Sequence, residues 1–338
     1  MAGSEGTQGR QGTLHVIVTS ANRMSRPIPT HLQLGQIPGQ TPAERAHGWI
    51  TRLTETGSGL GIPAVELYAG EHWSVARRFP VMHLPGEKIR MWSCSAGYGL
   101  IPVEALIMPH HATLTPGQAD SVPGAWASWW SLLSEWTGPV SGYPRSIRAL
   151  ATADPAAVFM FVLSKNYLRA CSADLAAACE QITDPDRLFI VSTGGRPEGD
   201  LAAFAVPADA RLQAHFGGTR RALNSRIGAD LLQRGIRSKN QASEYLARLL
   251  AAQPSIPRYN RKRQSDREIL DAITARLTRR PETSANGLLR EFRDAGLACE
   301  QRRFTRLYGE AVGVAPRQPT PGAGPLRTGT QGDATVTN

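Results

Sequence analysis

Along the chain, short apolar runs alternate with amphipathic stretches, which is the signature of an α/β order. Residues 13–19 read as a buried strand, 42–55 as a helix, and 64–68 and 88–95 as further strands. The pattern resumes with a strand at 158–164, a helix at 167–181, a strand at 187–192 and helices at 219–234 and 238–251. One three-layer α/β/α sandwich over residues 13–255 accommodates all of these elements. The stretch in between, 116–146, carries Trp126, Trp129, Trp130 and Trp136. With Leu133 they fall close to one helical face, so the segment reads either as a helix docked on the sheet or as an aromatic surface on which extruded bases could stack.

From Arg258 the character changes. Residues 258–306 hold 13 Lys and Arg against 7 Asp and Glu, a net +6 out of the whole chain's +10. Residues 265–279 place Ile269, Ile273 and Leu277 on one helical face, and Ser284 can cap a helix carrying Leu288, Leu289 and Phe292. Gly296 can end that helix, and 299–308 turns Phe304, Leu307 and Tyr308 inward. Three short helices with a Gly turn before the last resemble a helix-turn-helix module over 258–312, with Arg302, Arg303 and Arg306 on a face largely distinct from the apolar one. The alternative is a small helical bundle with a solvated basic face. The ends, 1–12 and 315–338, are rich in Gly, Ser, Gln, Pro and Thr, and are expected to be disordered.

Charge narrows the class. The 338 residues include 38 Lys and Arg against 28 Asp and Glu, which favours a polyanionic partner. No run reaches the roughly 18 apolar residues of a membrane span, and the N-terminus lacks the basic and apolar regions of a signal peptide. A cytoplasmic protein with no membrane association is expected. The four cysteines are not spaced for zinc, and His110 and His111, adjacent in an extended segment, point opposite ways. No metal site and no organic cofactor are expected.

Candidate chemistry clusters at strand ends, where open α/β sheets bind ligands. After the first strand come Ser20, Asn22 and Arg23: an amide that can hold a base edge or position a water, and a guanidinium that can hold a phosphate. The segment Glu66-Leu67-Tyr68-Ala69-Gly70-Glu71 brings two carboxylates near a predicted strand end. A reaction passing through an oxocarbenium-like centre needs such a group, although Glu71 equally suits a helix N-terminus. Ser95-Ala96-Gly97-Tyr98-Gly99 allows close backbone approach to a ligand but lacks the pattern of a nucleotide phosphate loop. Gly217-Gly218-Thr219, expected to open a helix, carries Arg220 and Arg221 at its positive end, which an anion would explain. Arg211 precedes this turn and joins the set expected to contact phosphate.

The combination of Thr-Ser-Ala-Asn-Arg at 19–23, Glu-Leu-Tyr-Ala-Gly-Glu at 66–71, Ser-Ala-Gly-Tyr-Gly-Leu-Ile at 95–101 and Pro-His-His-Ala-Thr-Leu at 109–114 resembles a bacterial family often encoded in defence neighbourhoods. That family looks like an outlying branch of the uracil-DNA glycosylase superfamily. Within it, the chain resembles the prokaryotic antiviral DNA glycosylases, which remove hypermodified pyrimidines such as glucosylated hydroxymethylcytosine from phage DNA. The resemblance spans about 13–235. It implies a base-flipping hydrolase of double-stranded DNA, and taken together with the strand-end and basic-face readings above, which supply Glu66 and the arginines, the expected catalytic residues are Asn22 and Glu66. Ser20, Arg23, Tyr68, Glu71, Ser95 and Tyr98 would bind the substrate, and Arg211, Arg220, Arg221, Arg302, Arg303 and Arg306 the DNA. The sequence departs from the superfamily in lacking its Asp-Pro motif after the first strand and its late His-Pro-Ser motif. Mismatch-type members position the water with Asn, the role that falls to Asn22. A nucleobase transglycosylase or accessory protein of a DNA-modification system, and a non-enzymatic DNA-binding regulator, are the alternatives.

Overall fold

The computed structural model describes residues 12–57, 59, 61–82, 87–138, 142–255 and 261–313, so the expectations for 1–11 and 315–338 lie outside the described residues. The chain forms two compact units that divide between residues 256 and 257.

The first unit is built on a five-stranded sheet. Its central strand, β1 (Gly12–Thr19), runs parallel to β2 (Glu87–Ser95) on one side and to β4 (Val158–Val162) on the other. β3 (Gly99–Pro102) joins β2 as an antiparallel edge, β5 (Leu188–Val191) extends the parallel set beyond β4, and the order is β3-β2-β1-β4-β5. A parallel strand covered on both faces must be apolar without alternation. Accordingly Leu14, Val16, Ile17 and Val18 are all fully buried. His15 interrupts that run, and its ring is satisfied on both nitrogens: Nε2 donates to Asp154 at 3.2 Å and Nδ1 accepts from the Trp92 indole at 3.0 Å.

Helices flank the sheet in an α/β/α sandwich. On one side α2 (Glu71–Ala76) packs on α7 (Leu223–Gln233), which in turn packs on β4 and β5. A second group comprises α1 (Pro42–Thr56), α3 (Trp126–Glu135), α4 (Ile147–Ala153), α5 (Lys165–Ala170) and α6 (Ser172–Cys179). Further along, α8 (Lys239–Ala251) is capped by Ser238. The tryptophan-rich segment is mostly a docked helix: Trp129 and Trp130 are buried, their indoles donating to the Ala96 carbonyl at 2.8 Å and to Asp174 at 2.9 Å. Arg145 secures the edge strand, donating to the carbonyls of Leu100, Tyr98 and Trp136 at 2.7–3.0 Å, and burial draws its pKa down to about 10.

The turn between β2 and β3 has no room to spare. A Cβ on Gly97 would sit 2.5 Å from Cδ2 of buried His110 and 3.3 Å from Trp49, whose indole donates to the Gly97 carbonyl. Gly97→Ala is therefore expected to destabilise this unit by about 2–3 kcal/mol, as overpacking of a rigid core does. Chemical denaturation checks this, and a loss below about 0.5 kcal/mol would refute it.

Three sequence expectations need correction. Residues 64–68 are not a strand: Ala64–Leu67 is one helical turn leading into the two-residue bridge Tyr68–Ala69. Ala64, Leu67 and Tyr68 are buried while Glu66 is exposed, a spacing of three and four that a helical turn satisfies. The helix expected at 167–181 breaks at Cys171 into α5 and α6, and α7 begins at Leu223, four residues later than expected.

The second unit is helical. α9 (Asp266–Arg279) opens with a capping box between Ser265 and Glu268, α10 (Ala285–Asp294) is capped by Ser284, and α11 (Gln301–Val312) follows a turn through Gly296. Ile269, Ile273, Leu288, Leu289, Phe292, Phe304 and Leu307 form its core. The pair Lys262–Arg263 bridges Leu297–Ala298 in parallel. No helix among the described residues is long and apolar enough to cross a membrane.

Candidate functional site

The chain leaves β1 toward β2 and later returns to β4 on the opposite side, so β1 sits where the strand order reverses. A crevice outside the carboxyl ends of the strands is expected at such a point. A cleft of 740 Å³ opens there.

Its floor comes from the segments just past each strand. After β1, Ser20, Asn22 and Arg23 line the cleft; after β4, Ser164, Lys165, Asn166 and Tyr167; after β5, Thr193. One side is closed by Glu71 and His72 of α2, and another by Arg220, Arg221 and Asn224. The segments 163–167 and 192–195 repeat the strand-to-helix layout of the first strand's end. The same strand-end rule that selected Ser20 and Asn22 identifies Lys165, Asn166, Tyr167 and Thr193.

Most of the polar groups hold the frame. Ser20 Oγ is hydrogen-bonded to the Tyr167 hydroxyl at 2.9 Å, and burial raises the Tyr167 pKa to about 12, so it remains a neutral phenol. The Asn166 amide donates to the Leu114 carbonyl, while Asn224 donates to the Leu163 carbonyl and accepts from both the backbone and the hydroxyl of Thr193. His72 Nε2 donates to the Thr19 carbonyl at 2.8 Å and Nδ1 accepts from the Ser225 hydroxyl at 2.6 Å. This fixes one neutral tautomer, and burial holds the imidazole below its ordinary pKa. Asn22 is different: it is exposed, and its side-chain amide has no hydrogen-bond partner among the described residues.

Charge in the cleft is one-sided. Arg23, Lys165, Arg220 and Arg221 all line it, and none lies within ion-pair distance of a carboxylate among the described residues. Among the described residues the single lining carboxylate is Glu71. Its Oε1 accepts from the Thr219 backbone N–H at 3.1 Å and from Arg226 at 3.1 Å. Hydrogen bonds from Thr219, and then the Arg226 guanidinium, hold it below the usual carboxylate range, so it is ionised at neutral pH. Gly218 makes this clamp possible: its φ of +71° places the chain so tightly on Glu71 and Arg226 that a Cβ would collide with both. The anion that the Gly-Gly-Thr turn was expected to recruit is thus in part Glu71 itself, and Arg220 and Arg221 remain uncompensated.

Several expected site residues lie elsewhere. Glu66 is on the outside of its helical turn and is not part of the cleft wall; its carbonyl accepts from Ser25. Tyr68, Ser95 and Tyr98 are in the core, because Ser95 Oγ gathers hydrogen bonds from the Tyr68 hydroxyl and the Gly97 and Tyr98 amides, and the Tyr98 hydroxyl accepts from Met108. The Arg211 guanidinium is held by Asp209 at 2.8–3.1 Å and does not line the cleft.

In the second unit, Arg303 and Arg306 both engage Asp266, and Arg306 also reaches Glu310. Those two arginines join α11 to the start of α9 instead of projecting freely, and they hold the Asp266 carboxyl below its ordinary range. Arg302 has no such partner among the described residues, nor do Arg263, Arg267 and Arg290, all four being exposed. Arg303→Ala is accordingly expected to lower the melting temperature of this unit, whereas Arg302→Ala leaves it within about 0.5 kcal/mol of the parent. Equal shifts in the two variants would refute this division.

Comparison of the chain with protein-family models, with curated proteins and with solved structures returned no match.

Proposed function

We propose that the chain is a DNA base glycosylase that draws one nucleotide into the cleft, hydrolyses its N-glycosidic bond and leaves an abasic site. The observation that carries this reading is the imbalance of the cleft. Among the described residues, four cations without carboxylate partners line the cleft with one ionised carboxylate and two uncommitted amides, those of Asn22 and Gln118. Arg23, Lys165, Arg220 and Arg221 suit the phosphates of an extruded nucleotide, and such contacts offset the few kcal/mol that flipping costs. Asn22 orients the attacking water through its amide oxygen. Glu71 faces the positive charge that develops on the sugar and stabilises it electrostatically. The water oxygen bonds to the anomeric carbon as the bond to the base nitrogen breaks; the electron pair leaves with the base, and the water's proton passes to the base or to solvent.

The exposed, unpaired arginines of the second unit supply a further phosphate-binding surface. If Arg290 and Arg302 each contact a phosphate, replacing both with Ala reduces the slope of log affinity against log salt by about 1.8. An unchanged slope removes them from the interface. The resemblance to the antiviral glycosylases points to modified pyrimidines of phage DNA as the substrates.

The test is mass spectrometry of the bases released from modified and unmodified duplexes. The expected result is a free base and an abasic site with no added co-substrate. Release only when an incoming base is supplied would replace this reading with a transglycosylase. Tight binding with no release from any duplex would replace it with a regulator, a role that suits Glu71 as a clamp on Arg226.

A further inference from the structure

Two more depressions adjoin the cleft. One, of 610 Å³, is walled by Leu114, Thr115, Val122, Trp126 and Arg169; the other, of 390 Å³, by Lys165, Leu168, Arg169, Arg196 and Leu201. Leu114 and Thr115 also line the cleft, so the larger depression continues from it. Lys165 is shared by the cleft and the smaller one, and Arg169 by the two depressions. A single short helix, α5, is therefore the ridge around which all three are arranged.

Two features of that ridge point to a strand of nucleic acid. Lys165 and Arg169 are at positions i and i+4 of one helix, which puts them on the same face about 6 Å apart at Cβ. Neither is within ion-pair distance of a carboxylate among the described residues. The second feature is aromatic. The Arg169 guanidinium lies over the Trp126 ring, 5.4 Å from its centroid, and both residues line the larger depression. Trp129 and Trp130 turn inward, and Trp136 is covered by Arg145 and the Tyr98 ring. Of the four tryptophans in this segment, Trp126 is the one left facing a depression that opens into the cleft.

We infer that the larger depression is a second nucleotide subsite. It takes the base adjoining the one held in the cleft, from an unpaired stretch of the strand, and stacks it against the Trp126–Arg169 pair. Lys165 and Arg169 hold the phosphates between the two positions. Every base presents a π-face, so this subsite fixes the strand's path without selecting a sequence. The inference rests on the cleft being a nucleotide site.

Titration of the full chain with thymidine 5′-monophosphate and with the single-stranded thymidine trinucleotide tests it, read by calorimetry and by tryptophan fluorescence. The trinucleotide is expected to bind at least about tenfold more tightly than the monophosphate, in line with one stacked base, and to quench the fluorescence. Trp126→Ala and Arg169→Met should each abolish most of that gain while leaving monophosphate affinity within about twofold. Trp126→Phe should keep most of the gain, because it retains a ring, while losing the quench. A gain that survives both Trp126→Ala and Arg169→Met, or a parent chain that binds the two ligands equally, overturns the subsite but leaves the cleft reading standing. Failure of the parent to bind either ligand overturns both.

Discussion

Asn22→Ala is expected to slow base release by about 10²-fold or more, with DNA affinity and melting temperature preserved. The expectation follows from how the asparagines of the cleft are used. Asn166 and Asn224 are committed to carbonyls of the frame, so truncating either one disturbs the cleft itself. Asn22 is exposed, its amide free to act on a reactant, and its loss leaves no buried group unpaired. The loss corresponds to about 2.7 kcal/mol of transition-state stabilisation. Glu71→Gln separates the carboxylate's charge from its role as a clamp, because the amide oxygen can still accept from Thr219 and Arg226. A fall in rate of about 10² with unchanged melting temperature assigns the charge to catalysis. An unchanged rate leaves Glu71 as a clamp only. Glu66→Gln serves as the control and should alter neither quantity, since Glu66 is exposed and outside the cleft wall. Single-turnover release of base, measured on all three variants, decides among these outcomes, and full activity of Asn22→Ala would remove that residue from the mechanism.

The central strands were legible because a parallel strand buried on both faces is a nearly continuous apolar run: 158–162 is one throughout, and 14–18 is broken only by His15. The strand-end rule then led directly to Ser20, Asn22 and Arg23, which line the cleft. Glu66 was misplaced for a definite reason. Five residues, Ala64 to Tyr68, are too few for periodicity to separate a strand from one helical turn. Tyr68, Ser95 and Tyr98 were misplaced for another. Small and aromatic residues at a strand end suit a ligand or a polar core cluster equally well, and the hydrogen bond that decides, Tyr68 to Ser95, spans 27 positions. The basic residues were read as a sum of charge, whereas what matters is which are already neutralised. Arg306 and Glu310 are four apart on one helix and could be paired from sequence, but the Asp266 that holds Arg303 and Arg306 lies 37 and 40 positions away. The part played by Arg169 is illegible for the converse reason: the cleft and its side depressions meet at α5 only once the strands are ordered.

The first unit is expected to lose stability steeply as the pH falls from 7 to 5, well above the range in which ordinary carboxylates titrate. His110 is buried, its Nδ1 donating to the Met108 carbonyl while Gly97, Tyr98 and Trp49 crowd the ring. Burial first, and the neighbouring His111 second, bring its pKa down from 6.5 to about 4. The folded value lies below the unfolded one, so between the two the unfolded chain binds the proton that the folded chain refuses. Stability is therefore full above pH 6.5 and falls with decreasing pH by up to about 1.4 kcal/mol per pH unit. For His110 alone the loss is about 2 kcal/mol at pH 5 and about 3 kcal/mol at pH 4. His15 and His72 are shifted downward by burial as well, so both add in the same direction. Glu71 and Asp209, whose pKa values are lowered by their partners, also lose their contribution as pH falls, but only below the ordinary carboxylate range. The interval from pH 7 to 5 consequently isolates the histidines. Denaturant unfolding at pH 7, 6 and 5, with the m-value held constant, measures the slope. A flat profile across that interval would show that these rings are protonated as readily in the folded chain as in the unfolded one, and a His110→Gln variant should fall less steeply than the parent between the same limits.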